Sequence, residues 1–466
     1  PAGNRRFPAR KVEPKVKRVL AWFEIRKLQG HRPKRRLDIV GARVRERDLH
    51  RLIRLEHAEE VPDAFEETRT TFREAESHLS RVLDLDRLAL ADGPGPDVGD
   101  GRYPAQVQRA MDEDWEASGH LVEIDGRVVH TDLNPELTEK GVVLASLRDA
   151  MESHPELLEK YLATEAVPAE EGKFQALNAA LWTDGIFLHV PAGVELQLPV
   201  RVTRWISNPG QAYFSRALIV ADQNSQVSYV DEILSDDLPA QSLTHSAVEV
   251  IARDGAQVQY VSLQRMGKGA FYMSAQRTLA QRDSTLDTLN VSLGASVTRV
   301  DLNARLLGPG SNSDMLGLYF GDGSQHFDHN TSQDHVADHA NSDLLYKGAL
   351  DDASRAVFRG IIRVWPGAQQ TDAYQTNRNL LLSPEARADS LPNLEIQADD
   401  VKCSHGATVG QLDQESLFYL MSRGMNRSQA ERLVVMGFLG EVLSRLPLGG
   451  VTEKVIRVIE RKLSHG

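Results

Sequence analysis

Five stretches of this chain resemble one another, and that repetition restricts the fold more than any other feature. RALIVADQNSQVSYVDEI begins at Arg216, SAVEVIARDGAQVQYVSL at Ser246, QRTLAQRDSTLDTLNVSL at Gln276, NARLLGPGSNSDMLGLYF at Asn303 and GALDDASRAVFRGIIRV at Gly348. Each reads as strand, tight polar turn, strand. They recur at intervals of about thirty residues with one longer gap, and repetition at roughly 20–50 residues marks a solenoid or propeller. In a solenoid each unit is stabilised mainly by burying its faces against its neighbours. The expected class is mainly β, a β-helix-like coil over 173–410. A conventional β-sandwich is the alternative.

The flanks have a different texture. Between Ala42 and Leu90 the pattern is helical and charged, with Leu49, Leu52, Ile53 and Leu55 near the helical period. ADGPGPDVGDGRY, from Ala91 to Tyr103, reads as a linker. A hairpin is expected where Leu121–Ile124 and Arg127–His130 flank Asp125-Gly126, since Asp-Gly between alternating apolar residues is a strong turn signal. Helices are expected around Pro135–Asp149, Pro155–Thr164 and Phe174–Trp182. Residues 42–172 thus form an N-terminal helical or mixed domain. Residues 411–466 form a small all-helical domain. Within it, Asp413 caps a helix that stops near Gly424, Ser428 and Glu431 suggest a capping box, and a last helix covers about Thr452 to Leu463. Residues 1–41 are an Arg- and Lys-rich tail without a signal-peptide apolar core, expected to be solvated rather than a binding arm. The chain opens on Pro1 rather than Met, which suggests a processed or truncated start.

Composition excludes several functions. The net charge of −12 argues against general affinity for nucleic acid or anionic membranes. No apolar run approaches the roughly 18 residues of a membrane helix. A single cysteine rules out an intrachain disulfide framework and suits a reducing compartment. No G-x-x-x-x-G-K-[ST] loop, G-x-S-x-G elbow or HExxH pair is present. A polysaccharide-active enzyme on a β-helix would show clustered carboxylates and aromatic platforms, whereas aromatic residues make up only 6% of this chain.

Two segments carry chemistry. In LEIQADDVKCSHGATVG (Leu394–Gly410) stand the only cysteine, Cys403, and His405 two residues later. On a strand these share one face with Asp399 and Val401. A thiolate and an imidazole suit iron, zinc or copper(I). An iron–sulfur cluster, however, needs about four protein ligands, mostly thiolates. The pair is therefore either structural or half of a site completed by another molecule. Asp399-Asp400 reads as a turn rather than an acid–base pair. QHFDHNTSQDHVADH (Gln325–His339) holds His326, His329, His335 and His339. It is dense enough to bind metal, but matches no closed zinc spacing and equally suits polar turns.

ADDVKCSHGATVGQLDQESLFYLMSRG (Ala398–Gly424), YKGALDDASRAVFRGIIRV (Tyr346–Val364), QTNRNLLLSPEA (Gln375–Ala386) and QHFDHNTSQDH (Gln325–His335) closely resemble the SufB/SufD family of the Suf iron–sulfur cluster assembly machinery. The resemblance spans roughly Phe174 to Arg461. It implies a right-handed parallel β-helix between helical terminal domains. It also implies a cytoplasmic complex with a SufB-like paralogue and the ABC-type ATPase SufC. In that family SufC docks on the C-terminal helical domain, which points to Leu417, Phe418, Tyr419, Met421, Arg423 and Gly424. SufB members carry a cysteine in the strand that here reads TDAYQTNRNLLL. This chain has none there and carries the Cys-Ser-His-Gly motif of the SufD branch. A SufB-like cluster-holding scaffold and a purely structural partner are the alternatives. The resemblance assigns His405, and more weakly Cys403, to cluster formation at the SufB–SufD interface. The implied cargo is a transient iron–sulfur cluster or iron shared with SufB. No cluster is expected to be held stably by the chain alone, although a homodimer could pool two cysteines. The chain is read as a non-catalytic subunit, with ATPase activity in the partner.

Overall fold

The computed structural model describes residues 88–91, 103–113, 115–164 and 166–464, all within one compact unit spanning 59–466. The basic stretch 1–41, the helical pattern of 42–87 and most of the linker lie outside the described residues.

Before the coil come β1 (Ala89–Leu90), α1 (Ala105–Met111), β2 (Gly119–Ile124), β3 (Arg127–Leu133), α2 (Pro135–Glu139), β4 (Val143–Ser146), α3 (Leu147–Ser153), α4 (Pro155–Tyr161) and α5 (Lys173–Leu181). The coil runs through β5 (Asp184–Val190), β6 (Val200–Ile206), β7 (Gln211–Ala221), β8 (Gln226–Ser235), β9 (Ser242–Ala252), β10 (Gln257–Arg265), β11 (Ala270–Ala280) and β12 (Thr285–Ser292). It continues through β13 (Val297–Leu306), β14 (Asn312–Gly321), β15 (His326–His335), β16 (Asn341–Leu350), β17 (Arg355–Val364), β18 (Asp372–Leu381), β19 (Arg387–Ile396) and β20 (Lys402–Gln411). Three helices follow: α6 (Gln414–Ser422), α7 (Arg427–Arg445) and α8 (Gly449–Ser464).

Consecutive coil strands alternate between two sheets, and each pairs in parallel with the strand two further on. The result is a β-solenoid of about 8 turns, not a sandwich. Corners are made where Asn224, Asp283 and Asp352 take positive φ of 55°, 54° and 50°. Short polar side chains tolerate that left-handed region better than apolar ones.

Alternate residues point into the coil. In β17 these are Ala356, Phe358, Gly360, Ile362 and Val364, all buried. Rings stack on neighbouring coils, as Tyr229 does on Tyr260 with centroids 5.7 Å apart. Where a ring must cross the axis, the facing coil supplies glycine. Tyr319 is register partner to Gly348, and Tyr346 to Gly317. A Cβ on Gly348 would lie 1.9 Å from the Tyr319 ring.

The two ends differ. At the N-terminal end β4 runs antiparallel to β5, and β3 antiparallel to β2, which itself continues the sheet onto β6. β4 and β3 are the outermost strands of the two sheets at this end. The β2–β3 turn is the expected one, with Asp125 and Gly126 both at positive φ. The helix expected over Pro135–Asp149 is interrupted. α2 ends at Glu139, Gly141 takes φ +85°, and Val143–Ser146 is drawn into the sheet against β5. Sheet pairing outweighs helical periodicity there. Ser146 then caps α3 by accepting from the Asp149 N–H at 3.0 Å.

The C-terminal helices lie on the outer face of the sheet containing β14 and β16. Leu417, Val435, Leu439, Val442 and Val455 join Leu316, Leu318, Phe320 and Leu345 in one apolar cluster. Asp413 caps α6 as expected, accepting from the N–H groups of Glu415 and Ser416. The capping box of α7 lies two residues earlier than expected, between Asn426 and Gln429. Glu431 instead pairs with Arg427 at 2.7 Å.

Candidate functional site

The solenoid's last coil has nothing stacked on it among the described residues. β19 pairs only with β17 and β20 only with β18, so both strands present free edges. The consequence is visible in the inward-facing residues. Ile362 and Val364 of β17 are fully buried, yet their register partners Leu394 and Ile396 of β19 are 38% and 40% exposed. Val409 of β20 faces inward over buried Asn379 and is 43% exposed. Exposed, flat, apolar edge strands are templates for pairing with another chain.

Cys403 and His405 sit on β20 at this end, opposite Ala373 and Gln375. The half-buried Cys403 packs with Ala398 and Val401 against Ile362, Val364, Ala368 and Ala373. Burial pushes its thiol above the ordinary value. The Asp372 carboxylate adds to this, and the backbone N–H of Ala373 opposes it. His405 is exposed. Beneath it Gln375 is buried, and neither amide atom has a hydrogen-bond partner among the described residues. The shared strand face does not extend back to Asp399, because β20 begins at Lys402. Asp399-Asp400 belongs to the preceding bend, in which the Asp400 carbonyl accepts from the Gln370 N–H at 2.6 Å.

The four histidines of 325–339 do not converge. His329 and His335 point into the coil, where each ring nitrogen Nε2 meets a serine hydroxyl, Ser292 at 3.2 Å and Ser342 at 2.7 Å. His329 also stacks on Tyr319 with centroids 4.8 Å apart. Burial lowers these imidazoles to about 3 and about 4 respectively. His326 lies on the other strand face, and His339 occupies a turn beside Asp338. Among the described residues no three His, Cys, Asp or Glu side chains are grouped to hold a metal ion. Alternation along β15 separates what the sequence places side by side.

The α6–α7 corner forms a second exposed apolar surface. Phe418 is 73% and Tyr419 56% exposed, and Met421, Met425 and Leu433 are exposed beside them in the sequence. Arg423 covers the Tyr419 ring at 5.1 Å. Gly424, at φ +96°, makes the turn. Leu417 is different: it is buried and anchors α6 to the solenoid. Sequence reading missed Leu394, Ile396 and Val409. Continuing the inward alternation of the repeats to the last strand would have marked them as apolar residues without a covering coil.

A parallel β-solenoid of about 8 turns, with a mixed region before it and a helical segment packed on its flank, defines the class of protein. The chain belongs to the SufBD family. Residues 204–438 match the model of the SUF system FeS cluster assembly, SufBD core domain, and residues 117–202 that of the SufBD protein N-terminal region. It is similar to the iron–sulfur cluster assembly protein SufD of Bacillus subtilis, with 32% identity over 89% of this chain and 93% of that protein. It also resembles iron–sulfur cluster assembly SufBD family proteins of Staphylococcus saprophyticus and Staphylococcus aureus. Each is 29% identical over 74% of this chain and 76% of the relative.

Proposed function

We propose that this chain is a non-catalytic scaffold subunit of cytoplasmic iron–sulfur cluster assembly, acting as SufD does beside a SufB-like paralogue and a SufC-like ATPase. The observation that carries this reading is the asymmetry of the solenoid. At its N-terminal end the apolar residues of β2, β5 and β6 are buried, whereas among the described residues nothing covers β19 and β20, which expose Leu394, Ile396 and Val409 next to Cys403 and His405. A homologous solenoid end would continue both sheets and cover those residues. The cluster, or its iron, is cargo at that junction. One thiol cannot hold it, so SufB supplies thiolates and His405 serves as an interface ligand or proton carrier. The exposed corner of Phe418, Tyr419 and Met421 receives SufC, whose ATP hydrolysis this chain has no phosphate loop to perform.

The test is anaerobic reconstitution with the SufB-like and SufC-like proteins of the same source. With this chain present, a ternary complex should elute together and carry iron and acid-labile sulfide. Without it, cluster yield should fall. Failure to co-elute with the SufB-like protein rejects the reading.

A further inference from the structure

Between α1 and α8 lies a groove of about 550 Å³. Its lining includes Arg109 from α1, Arg265 from the end of β10, Arg432 from α7, and Lys454, Arg457 and Arg461 from α8. The carboxylates in the lining are Glu113 and Glu460, and Glu232 lies behind it against Arg265 and Lys454, so six formal positive charges meet three negative ones. In a chain of net charge −12 this is a local reversal of sign.

Part of the cluster is structural. Lys454 is buried and bridges Glu113 and Glu232, each at 2.5 Å, which ties α8 to the solenoid. Arg265 also pairs with Glu232, with Nε at 2.9 Å, and Arg432 pairs with Glu460. Arg109 and Arg457 take no part in that. The Arg109 side chain is exposed and makes no ion pair or hydrogen bond among the described residues. Arg457 has only a 3.8 Å contact with the exposed Glu453. Two guanidinium groups from different helices therefore face one concavity without neutralising partners that the fold requires.

The volume is that of a small-molecule pocket, which ranges over roughly 300–1,000 Å³. Planar guanidinium forks match the oxygens of phosphate groups in bidentate fashion. We propose that the groove binds a compact anion bearing two or more phosphate groups, held between Arg109 and Arg457. This does not depend on the role in cluster assembly.

Calorimetric titration of the full chain with inorganic triphosphate tests it. Saturable one-to-one binding is expected, weakening as salt rises. The Arg109→Ala/Arg457→Ala double variant should bind roughly tenfold or more weakly, since charge-assisted hydrogen bonds are lost, with its melting temperature unchanged. Arg282→Ala, at an exposed coil corner, should bind as the parent does. The proposal is overturned by absence of saturable binding at millimolar triphosphate, or by equal affinity in the double variant. Equal loss in Arg282→Ala would overturn it too, as would tighter binding of a polyglutamate peptide than of triphosphate.

Discussion

His405 and Gln375 are register partners on the last two strands of one sheet, and they mark the boundary between interior and surface. The amide is buried with both polar atoms unpartnered among the described residues, while the imidazole one coil further out is exposed. A buried, unsatisfied amide is costly, by about 1–3 kcal/mol. The end of this coil is thus polar within and apolar at its rim, where Leu394, Ile396 and Val409 lie.

The role of His405 separates a working interface from a merely structural one. His405→Asn and His405→Gln keep polarity and much of the bulk. Complexes containing them should still form with SufB and SufC but lose cluster, read as anaerobic iron and acid-labile sulfide content. Normal yield from the His405→Asn complex would leave the residue as packing. Cys403→Ser should do less, because the thiol is half-buried among apolar residues and burial raises its pKa.

The open rim can be tested without touching that site. Val409→Asp and Leu394→Asp place charge on exposed residues, so the melting temperature of the isolated chain should barely move. Affinity for the SufB-like partner should fall by about tenfold or more, since each charge would be buried unpaired in the junction. Light scattering after size exclusion reads the outcome, and undiminished complex would place the junction elsewhere.

Phe418→Asp should weaken SufC binding by about tenfold or more, as loss of a large apolar anchor does at an interface, and leave thermal stability unchanged. Retained affinity, measured by calorimetry, would move the docking surface off α6. Removing the helices outright is less informative, because it would uncover Leu316, Leu318, Phe320 and Leu345.

Stability should fall between pH 7 and pH 5. His335 is held down to about 4, and His245 and His329 to about 3, by burial. Below about pH 6.5 the unfolded chain takes up protons that the folded chain refuses. Their contribution is therefore complete above that value and lost as pH falls toward 4, by roughly 2 kcal/mol per histidine at pH 5. Glu123, raised to about 7, and Asp287, raised to about 6, act in the opposite sense. The difference between parent and His335→Gln isolates one group, and the variant should show the shallower dependence of urea midpoint on pH. Equal slopes would contradict a neutral buried imidazole.

Gly348→Ala should lower the urea midpoint, with a cost of roughly 1–3 kcal/mol from overpacking. Its Cβ would meet the buried Tyr319 ring of the neighbouring coil. An unchanged midpoint would mean that the ring can move aside.

The sequence alone determined the solenoid, the Asp125-Gly126 hairpin and the Asp413-capped helix, because these follow from local periodicity and turn chemistry. It also brought Cys403 and His405 together, since two residues apart on a strand means one face. It could not separate the histidines of 325–339, whose fate depends on which side of β15 faces the axis. Nor could it reveal that Leu417 anchors while Phe418 and Tyr419 remain exposed. The open rim and the Arg109–Arg457 groove were decided only by tertiary structure. Exposure at the rim comes from the absence of a covering coil among the described residues, and the groove joins helices more than three hundred residues apart in sequence. Periodicity reports which face of an element is apolar; it does not report what, if anything, is stacked against it.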